Sequence, residues 1–265
     1  MNQLIEQGLP GRDQRYTKKE RNMLSKEELN RYTRQIIMEG WGEATQEKLK
    51  SSTVFVAGAG GLGSPVSIYL AVAGVGHIVI CDFDSPDLSN LNRQILHDHT
   101  RIGINKAISA KMTLERLNPN VNITAITEKI VEDNVDRLVG NADIIMDCMD
   151  NFPTRYLLND CAIRKHIPMV YGSIWGMDGR LSFIQSPETP CLRCIFQEPP
   201  PKEVFPVLGA TPGVIGSLQA LEAIKYLTGI GRTLKNKLLV WEGETTQFKT
   251  FNIQKDPHCP SCGTG

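Results

Sequence analysis

The sequence has no excess of charge of either sign. Its 29 Lys and Arg are matched by 29 Asp and Glu, a formal net charge of zero. A nucleic acid as the main partner would need a basic excess to neutralise phosphates, so none is expected, although local basic patches remain possible. There is no apolar stretch long and uninterrupted enough to span a bilayer, so no membrane partner is expected. The first residues, M-N-Q-L-I-E-Q-G-L-P, lack a basic segment followed by an apolar core. No signal peptide is therefore expected, and the chain is expected to be cytoplasmic. Internal repeats and low-complexity segments are also missing. What remains is ordinary globular composition, 41% apolar and 22% charged, over 265 residues. That is enough for one large domain or a domain with appendages.

The chain is organised around Thr53 to Ser64, T-V-F-V-A-G-A-G-G-L-G-S. Val54 to Ala57 is a short apolar run bounded by glycine, which predicts a buried parallel strand. Pro65 to Ala73 is apolar and predicts a helix with Pro65 in its first turn, where a missing N–H costs nothing. Gly58, Gly60 and Gly63 therefore fit G-x-G-x-x-G on a strand-to-helix turn, with Gly61 between them. Such glycines allow a tight turn and let backbone N–H groups and a helix N-terminus meet a phosphate. Alone, the motif fits a nucleotide, a dinucleotide or a purely structural turn.

The rest of the chain reads in order from the N-terminus. Met1 to Ser25 is polar and charged and is expected to be an exposed arm, with residues 26–265 forming a single domain. Ser25 predicts an N-cap, with Glu27 and Glu28 in the first turn of a helix that continues through Ile37. Gln46 to Lys50 predicts a short helix. His77 to Cys81 predicts the second strand, and Asp82 beyond it is well placed for ribose hydroxyls, or else is a solvated turn residue. Ser89 to Gln94, S-N-L-N-R-Q, is too polar for a core strand and too long for a tight turn. Asn105 to Leu117 predicts a helix with Lys106 in its first turn, where a cation opposes the helix dipole and invites an anionic ligand. Strands are expected at Val121–Ile126, Ala142–Met146, Pro168–Gly172 and Gly179–Gln185, and helices at Val131–Leu138 and Thr154–Arg164. Asp150 follows a strand and so lies on the same rim as the glycine turn and Asp82. Gln197 to Pro206 is proline-rich and reads as a loop. Gly213 to Thr228 predicts an apolar helix closed by Gly229, and Leu238–Glu242 with Gln247–Ile253 predict a hairpin.

Of seven cysteines, four form two C-x-x-C pairs, Cys191/Cys194 and Cys259/Cys262. In a reducing compartment one pair alone could be a redox dithiol, but two pairs suit a tetrathiolate zinc site that pins the C-terminal tail. All-sulfur ligation leaves no open position, so the site would be structural, and the neighbouring His258 would find no vacancy. Cys81, Cys148 and Cys161 lie in or beside apolar segments and read as inert buried thiols. The glycine turn, Asp82, Arg93, Lys106 and Asp150 together make an anion site with two carboxylates. A hydride-transfer enzyme needs neither a Mg²⁺ ligand nor an arginine–lysine pair over phosphates, so the set favours ATP over NAD.

These residues resemble the MoeB/ThiF/HesA adenylyltransferases, bacterial relatives of the ubiquitin-activating enzymes, and most closely the MoeB-like branch. The resemblance covers about Leu29 to Cys262. Its motifs are R-Y-T-R-Q-I at Arg31, G-A-G-G-L-G-S at Gly58, D-F-D at Asp82, S-N-L-N-R-Q at Ser89, Lys106, D-C-M-D-N at Asp147, the cysteine pairs and G-V-I-G-S-L-Q-A at Gly213. It implies an α/β, Rossmann-like ATP-binding fold with a mostly parallel central sheet, antiparallel C-terminal strands and a structural Zn²⁺ site. It further implies MgATP and a small ubiquitin-like sulfur carrier ending in Gly-Gly, whose carboxylate attacks the α-phosphorus and expels pyrophosphate. Arg93 and Lys106 would neutralise charge, Asp150 would hold Mg²⁺, and Asp82 would hold the ribose. Gly58 to Gly63 would cradle phosphate and Asn90 would orient the nucleotide. Arg34 would reach into the partner's site in a homodimer.

One departure stands out. Many relatives carry a cysteine in the crossover loop, but Ile195 to Pro212 has none and looks shortened. The expectation is a protein that stops at the adenylate, with sulfur supplied by a separate donor. Other readings left open are a catalytically silent nucleotide-binding scaffold of the same fold, an NAD-dependent oxidoreductase, and adenylation of a non-protein carboxylate or a tRNA base. The carrier, of molybdopterin or thiazole type or another, is not named by the residues; the MoeB-like pattern tilts toward pterin dithiolene synthesis.

Overall fold

A computed structural model describes residues 23–199 and 206–263. The N-terminal arm expected over 1–25 lies almost wholly outside these residues, as does most of the proline-rich loop.

The chain enters through three short helices, α1 (Lys26–Arg31), α2 (Thr33–Ile36) and α3 (Gly42–Ser51). Ser25 caps α1 in a capping box with Glu28, each side chain taking the other's backbone N–H. The single helix expected through Ile37 is broken at Tyr32, which ends α1 and begins α2 with φ −96° and ψ 10°. The break lets the Tyr32 ring enter the core at 3% exposure, where its hydroxyl accepts a hydrogen bond from Asn118 Nδ2 at 2.8 Å.

From there strands and helices alternate. They are β1 (Thr53–Ala57), α4 (Gly63–Ala73), β2 (His77–Cys81), α5 (Lys106–Leu117), β3 (Asn122–Ile126), α6 (Val135–Val139), β4 (Ile144–Asp147), α7 (Phe152–Lys165) and β5 (Met169–Trp175). After these come β6 (Asp178–Ile184), α8 (Leu192–Ile195), α9 (Ala210–Thr228), β7 (Lys237–Glu242) and β8 (Gln247–Asn252). Helix α6 is shorter than expected. The Asn134 side chain takes the Val131 N–H (2.9 Å) and donates to the Lys129 carbonyl (2.9 Å), offering the preceding backbone a turn in place of a helix.

All eight strands form one sheet in the order β3-β2-β1-β4-β5-β6-β7-β8. The pairs from β3 to β5 are parallel, and β5–β6, β6–β7 and β7–β8 are antiparallel, so the late hairpin extends the sheet. Both faces of the parallel part are covered, which is why its strands read as continuous apolar runs. One core joins α4, α5 and α9 to one face through Leu70, Leu114, Ile215 and Ala223. The other joins α6 and α7 to the opposite face through Leu138, Leu158 and Cys161. No helix is long and apolar enough to cross a membrane among the described residues.

The strand order reverses between β1 and β4, and α/β sheets bind ligands at the carboxyl ends of strands beside such a switch point. The register pairs Ala57 with both Cys81 and Asp147, so β1, β2 and β4 end level. The residues that follow them, Gly58, Asp82 and Cys148, therefore share one rim.

Candidate nucleotide site

The glycine turn is built by steric necessity. Gly58 has φ +96°, and a Cβ on it would lie 2.9 Å from the Cys148 carbonyl oxygen. A Cβ on Gly63 would lie 2.0 Å from the Gly58 carbonyl oxygen. Backbone occupies both places, so no side chain fits. Gly58 N–H donates to the Cys81 carbonyl and Cys148 N–H to the Ala57 carbonyl, locking the turn between the two neighbouring strands. The N–H groups of Gly60 and Gly61 have no acceptor among the described residues. They precede the N-terminus of α4, an arrangement suited to an anion. Replacing Gly63 with alanine is expected to destabilise the fold by about 1–3 kcal/mol through overpacking. Nucleotide binding should weaken with it; calorimetric melting and titration with ATP check both.

Asp82 is tied to that turn. Its Oδ2 accepts the Ala59 N–H at 2.8 Å and its Oδ1 accepts the Asp84 N–H at 2.9 Å. Burial pushes the carboxyl above the usual carboxylate range, while the two N–H groups and nearby Lys106 pull the other way.

Lys106 opens α5. Its N–H donates to the Asp84 carbonyl (2.7 Å), and its Nζ stands 3.9 Å from Asp84 Oδ2. The Lys106 side chain is only 10% exposed, but Asp84, the carboxylate it pairs with, is 54% exposed, too solvated to hold the ammonium strongly. Asn105 caps the helix through the N–H groups of Ala107 and Ile108 and ties it to β2 by donating to the Asp82 carbonyl.

The S-N-L-N-R-Q segment begins as a 3-10 turn, Leu88–Asn90, stabilised by a capping box between Asp87 and Asn90. Asn90 Oδ1 accepts the Asp87 N–H at 3.2 Å. Arg93 is half-buried and donates through Nη1 to the Ser89 carbonyl and to Asn92 Oδ1. Its Cγ lies 3.5 Å from where a Cβ on Gly61 would be, so the arginine runs along the glycine turn. Asp150 is exposed on the loop after β4, and among the described residues its only side-chain hydrogen bond comes from Asn151 Nδ2 at 3.2 Å. That loop touches the turn through Met149, whose Sδ is 3.5 Å from a Cβ position on Gly58.

Arg34 stands apart. It is exposed on α2, whose neighbouring Gln35 donates to the carbonyl of Ala73, the last residue of α4. The glycine turn is at the other end of α4, about 16 Å away along an 11-residue helix.

Two buried residues join the site without having been singled out. His97 accepts or donates at both ring nitrogens, Nε2 to the Ala59 carbonyl and Nδ1 to Ser109 Oγ, each at 2.9 Å. Because a carbonyl only accepts, Nε2 carries the proton and Nδ1 takes the serine's. Burial holds the imidazole below its usual pKa, so it couples the glycine turn to α5 as a neutral ring. Gln94 is buried with Nε2 3.6 Å from a Cβ position on Gly60. Nothing in local pattern marks His97; Gln94 lies inside S-N-L-N-R-Q and could have been read with it.

The four paired cysteines come together elsewhere in the molecule, their sulfurs all within 4.8 Å of one another. Cys191–Cys259 and Cys194–Cys262 are 3.5 Å apart and Cys191–Cys194 3.9 Å. A tetrahedron with Zn–S bonds of 2.3 Å sets its sulfurs about 3.8 Å apart, so this donor set fits zinc. The Asp256 N–H also donates to Cys194 Sγ at 3.4 Å, a contact of the kind that supports a thiolate ligand. The other cysteines are buried, and burial pushes the Cys81 and Cys161 thiols up to about 12, which leaves them inert at neutral pH.

A model of the ThiF family matches residues 32–261. The chain is 40% identical over 250 residues to the sulfur carrier protein adenylyltransferase of Thermus thermophilus, covering 90% of this chain and 92% of that protein. It is 42% identical over 242 residues to protein HesA of Leptolyngbya boryana, covering 91% and 87%. It is also 42% identical over 246 residues to the adenylyltransferase and sulfurtransferase MOCS3 of Drosophila sechellia. There it covers 90% of this chain but 54% of the relative, so the chain spans about half the length of MOCS3. Among solved structures, E. coli MccB with AMPCPP and selenomethionine MccA superposes with a TM-score of 0.80 at 25% identity, over 88% of this chain and 74% of that one.

Proposed function

This chain belongs to the ThiF family, and we propose that it adenylates the C-terminal carboxylate of a small ubiquitin-like sulfur-carrier protein ending in Gly-Gly. The carrier carboxylate oxygen bonds to the α-phosphorus of ATP as the bond from that phosphorus to the bridging oxygen breaks. The products are an acyl-adenylate and pyrophosphate. Two anions must meet, so the site must neutralise charge before the bond can form. Lys106 and Arg93 supply that charge, the first from the start of α5 and the second along the glycine turn. The free N–H groups of Gly60 and Gly61 take phosphate oxygens, Asp82 takes the ribose hydroxyls, and Asn90 orients the nucleotide. Asp150, an exposed carboxylate on a loop against the turn, would hold Mg²⁺, which supplies further neutralisation of the phosphates.

The observation that carries this reading is the rim itself. Level strand ends bring an acidic residue, a cationic helix start and an unfilled row of N–H groups around one glycine turn. Similarity to a sulfur carrier protein adenylyltransferase over nearly the full length of both chains supports a carrier protein as the acceptor of the adenylyl group. Arg34, far from its own chain's turn, acts in the site of a second copy, so the active form is a homodimer. The tetracysteine cluster holds structural Zn²⁺ and ties the tail to α8.

Residues 195–212 contain no cysteine, which favours a reaction that ends at the adenylate and leaves sulfur to a separate donor. The same feature is what a catalytically silent scaffold would show. The MoeB-like motifs favour a carrier for pterin dithiolene synthesis over one for thiazole. The test is mass spectrometry of each candidate carrier after incubation with this protein and MgATP. One carrier should gain an adenylate that disappears when its last glycine is deleted, with no thiol-sensitive adduct on the enzyme. No adenylated carrier would favour the scaffold, and a thiol-sensitive adduct would overturn the adenylate as end point.

A further inference from the structure

Beneath Asp150 lies a buried ion pair for which the adenylation chemistry has no direct use. Asp147 ends β4 and is fully buried. Its Oδ1 accepts the Met149 N–H at 3.1 Å, while its Oδ2 faces Arg155 Nε at 3.9 Å. Arg155, on the first turn of α7, is 5% exposed. Its guanidinium lies between two rings, 5.4 Å from the Phe152 centroid and 5.0 Å from that of Tyr171. Its Nη2 donates to the Met149 carbonyl. Phe196, two residues beyond Cys194, packs on both of those rings and closes the box. From the other layer, Gln219 Nε2 donates to the carbonyls of Asp147 and Val170, fixing the end of β4 against β5.

A buried charge pair is expensive to desolvate and is weak evidence for stability. Here burial pushes the Asp147 carboxyl up and the arginine opposes the push. Among the described residues the arginine makes only the hydrogen bond to Met149, and its Nε and Nη1, like Asp147 Oδ2, find no acceptor or donor within hydrogen-bond distance. An apolar pair of similar volume would fill this space at no such cost. What the pair does, and an apolar pair could not, is hold Met149 from both sides. Asp147 takes its N–H and Arg155 takes its carbonyl. That carbonyl belongs to the peptide joining Met149 to Asp150, so its orientation sets the direction of the Asp150 side chain. Asp150 has little else to fix it: it is exposed and, among the described residues, takes one hydrogen bond, from its neighbour.

We propose that Arg155 is a positioning residue for Asp150, holding the Met149–Asp150 peptide so that the carboxylate meets the divalent cation on the nucleotide. This rests on the adenylation reading for what the cation does, but the placement of Asp150 can be tested without turnover.

The experiment compares wild type with Arg155→Lys, with the double variant Asp147→Asn/Arg155→Met, and with Asp150→Ala as reference. The double variant removes both charges and so leaves no unpaired ion in the core. Arg155→Lys keeps the charge but loses the planar fork that reaches Met149. Mn²⁺ affinity in the presence of ATP is read by electron paramagnetic resonance, ATP affinity without metal by calorimetry, and folding by thermal melting. Loss of the supporting contact should weaken Mn²⁺ binding about 10–100-fold in the double variant, toward the Asp150→Ala value, with metal-free ATP affinity unchanged. Arg155→Lys should fall between, and it decides the matter if the double variant does not fold. A lower melting temperature with wild-type Mn²⁺ affinity would make Arg155 a core residue only and overturn the proposal. So would wild type binding Mn²⁺ no better than Asp150→Ala. If the metal affinities shift as expected but wild type adenylates no carrier, the positioning role stands and the adenylation reading falls.

Discussion

Lys106→Ala should reduce adenylation by about 10²- to 10³-fold, the loss typical of removing one preorganised charge or donor from a transition state in which negative charge must be neutralised. The fold should be unharmed. Lys106 makes one long ion pair, at 3.9 Å, with an aspartate that is 54% exposed, and such contacts contribute about 0–1 kcal/mol. Removing a cation from a helix N-terminus and placing alanine there even favours the helix slightly. Asp150→Ala should be equally damaging to activity and equally mild to structure. Among the described residues the Asp150 carboxylate has one hydrogen bond, from Asn151 Nδ2, and the cap on α7 is made by the Asn151 Oδ1, which takes the Thr154 N–H at 3.0 Å. Initial rates of pyrophosphate release alongside melting curves separate the two effects. Full activity in either variant would overturn the assignment of these residues.

The second large effect concerns the tail. Cys259→Ser should release the metal, because the site has four sulfurs and no spare ligand held among them. Apparent zinc binding in small structural sites is about 10–16 kcal/mol, far more than the tail's other contacts can supply. Among the described residues those contacts are few: Gln197 Nε2 to Asp256 Oδ2 at 3.2 Å, Ser261 Oγ to Asp160 Oδ1 at 2.7 Å, the Ile253 N–H to the Asn236 carbonyl at 3.0 Å and the Asp256 N–H to Cys194 Sγ at 3.4 Å. The tail after β8 should then exchange its amides freely and become open to proteolysis. Metal analysis should show one zinc per chain in wild type and none in the variant. Unchanged metal content would refute tetrathiolate ligation.

Much of the architecture is legible from residues because its elements are locally consistent. Ile78–Cys81 is an apolar run that, with His77 before it, lies between Gly76 and Asp82, and the strand spans His77–Cys81. Asn105 and Ser25 announce their helices by capping them, and Gly229 ends α9 in the left-handed conformation it alone tolerates well. Cys194 and Cys259 lie 65 positions apart in the chain, yet ligand chemistry joins the two pairs without any knowledge of the path between. What escapes is whatever depends on a distant partner. Tyr32 breaks a helix to reach Asn118, and His97 holds a glycine turn 38 residues earlier. Arg155 acts on a peptide that precedes its own helix, and nothing in the residue spacing of α7 marks it among the helix's other charged residues. Resemblance alone points to Arg34, and the single chain leaves it at the wrong end of α4 for its own site.

The most direct test of the central claim is ATP–pyrophosphate exchange, measured on the purified protein with MgATP and each Gly-Gly carrier of the same genome in turn. Adenylation predicts exchange that appears with one carrier, requires its C-terminal carboxylate and is lost in Lys106→Ala. Tight MgATP binding with no exchange in the presence of any carrier would contradict it and leave a nucleotide-binding scaffold in its place.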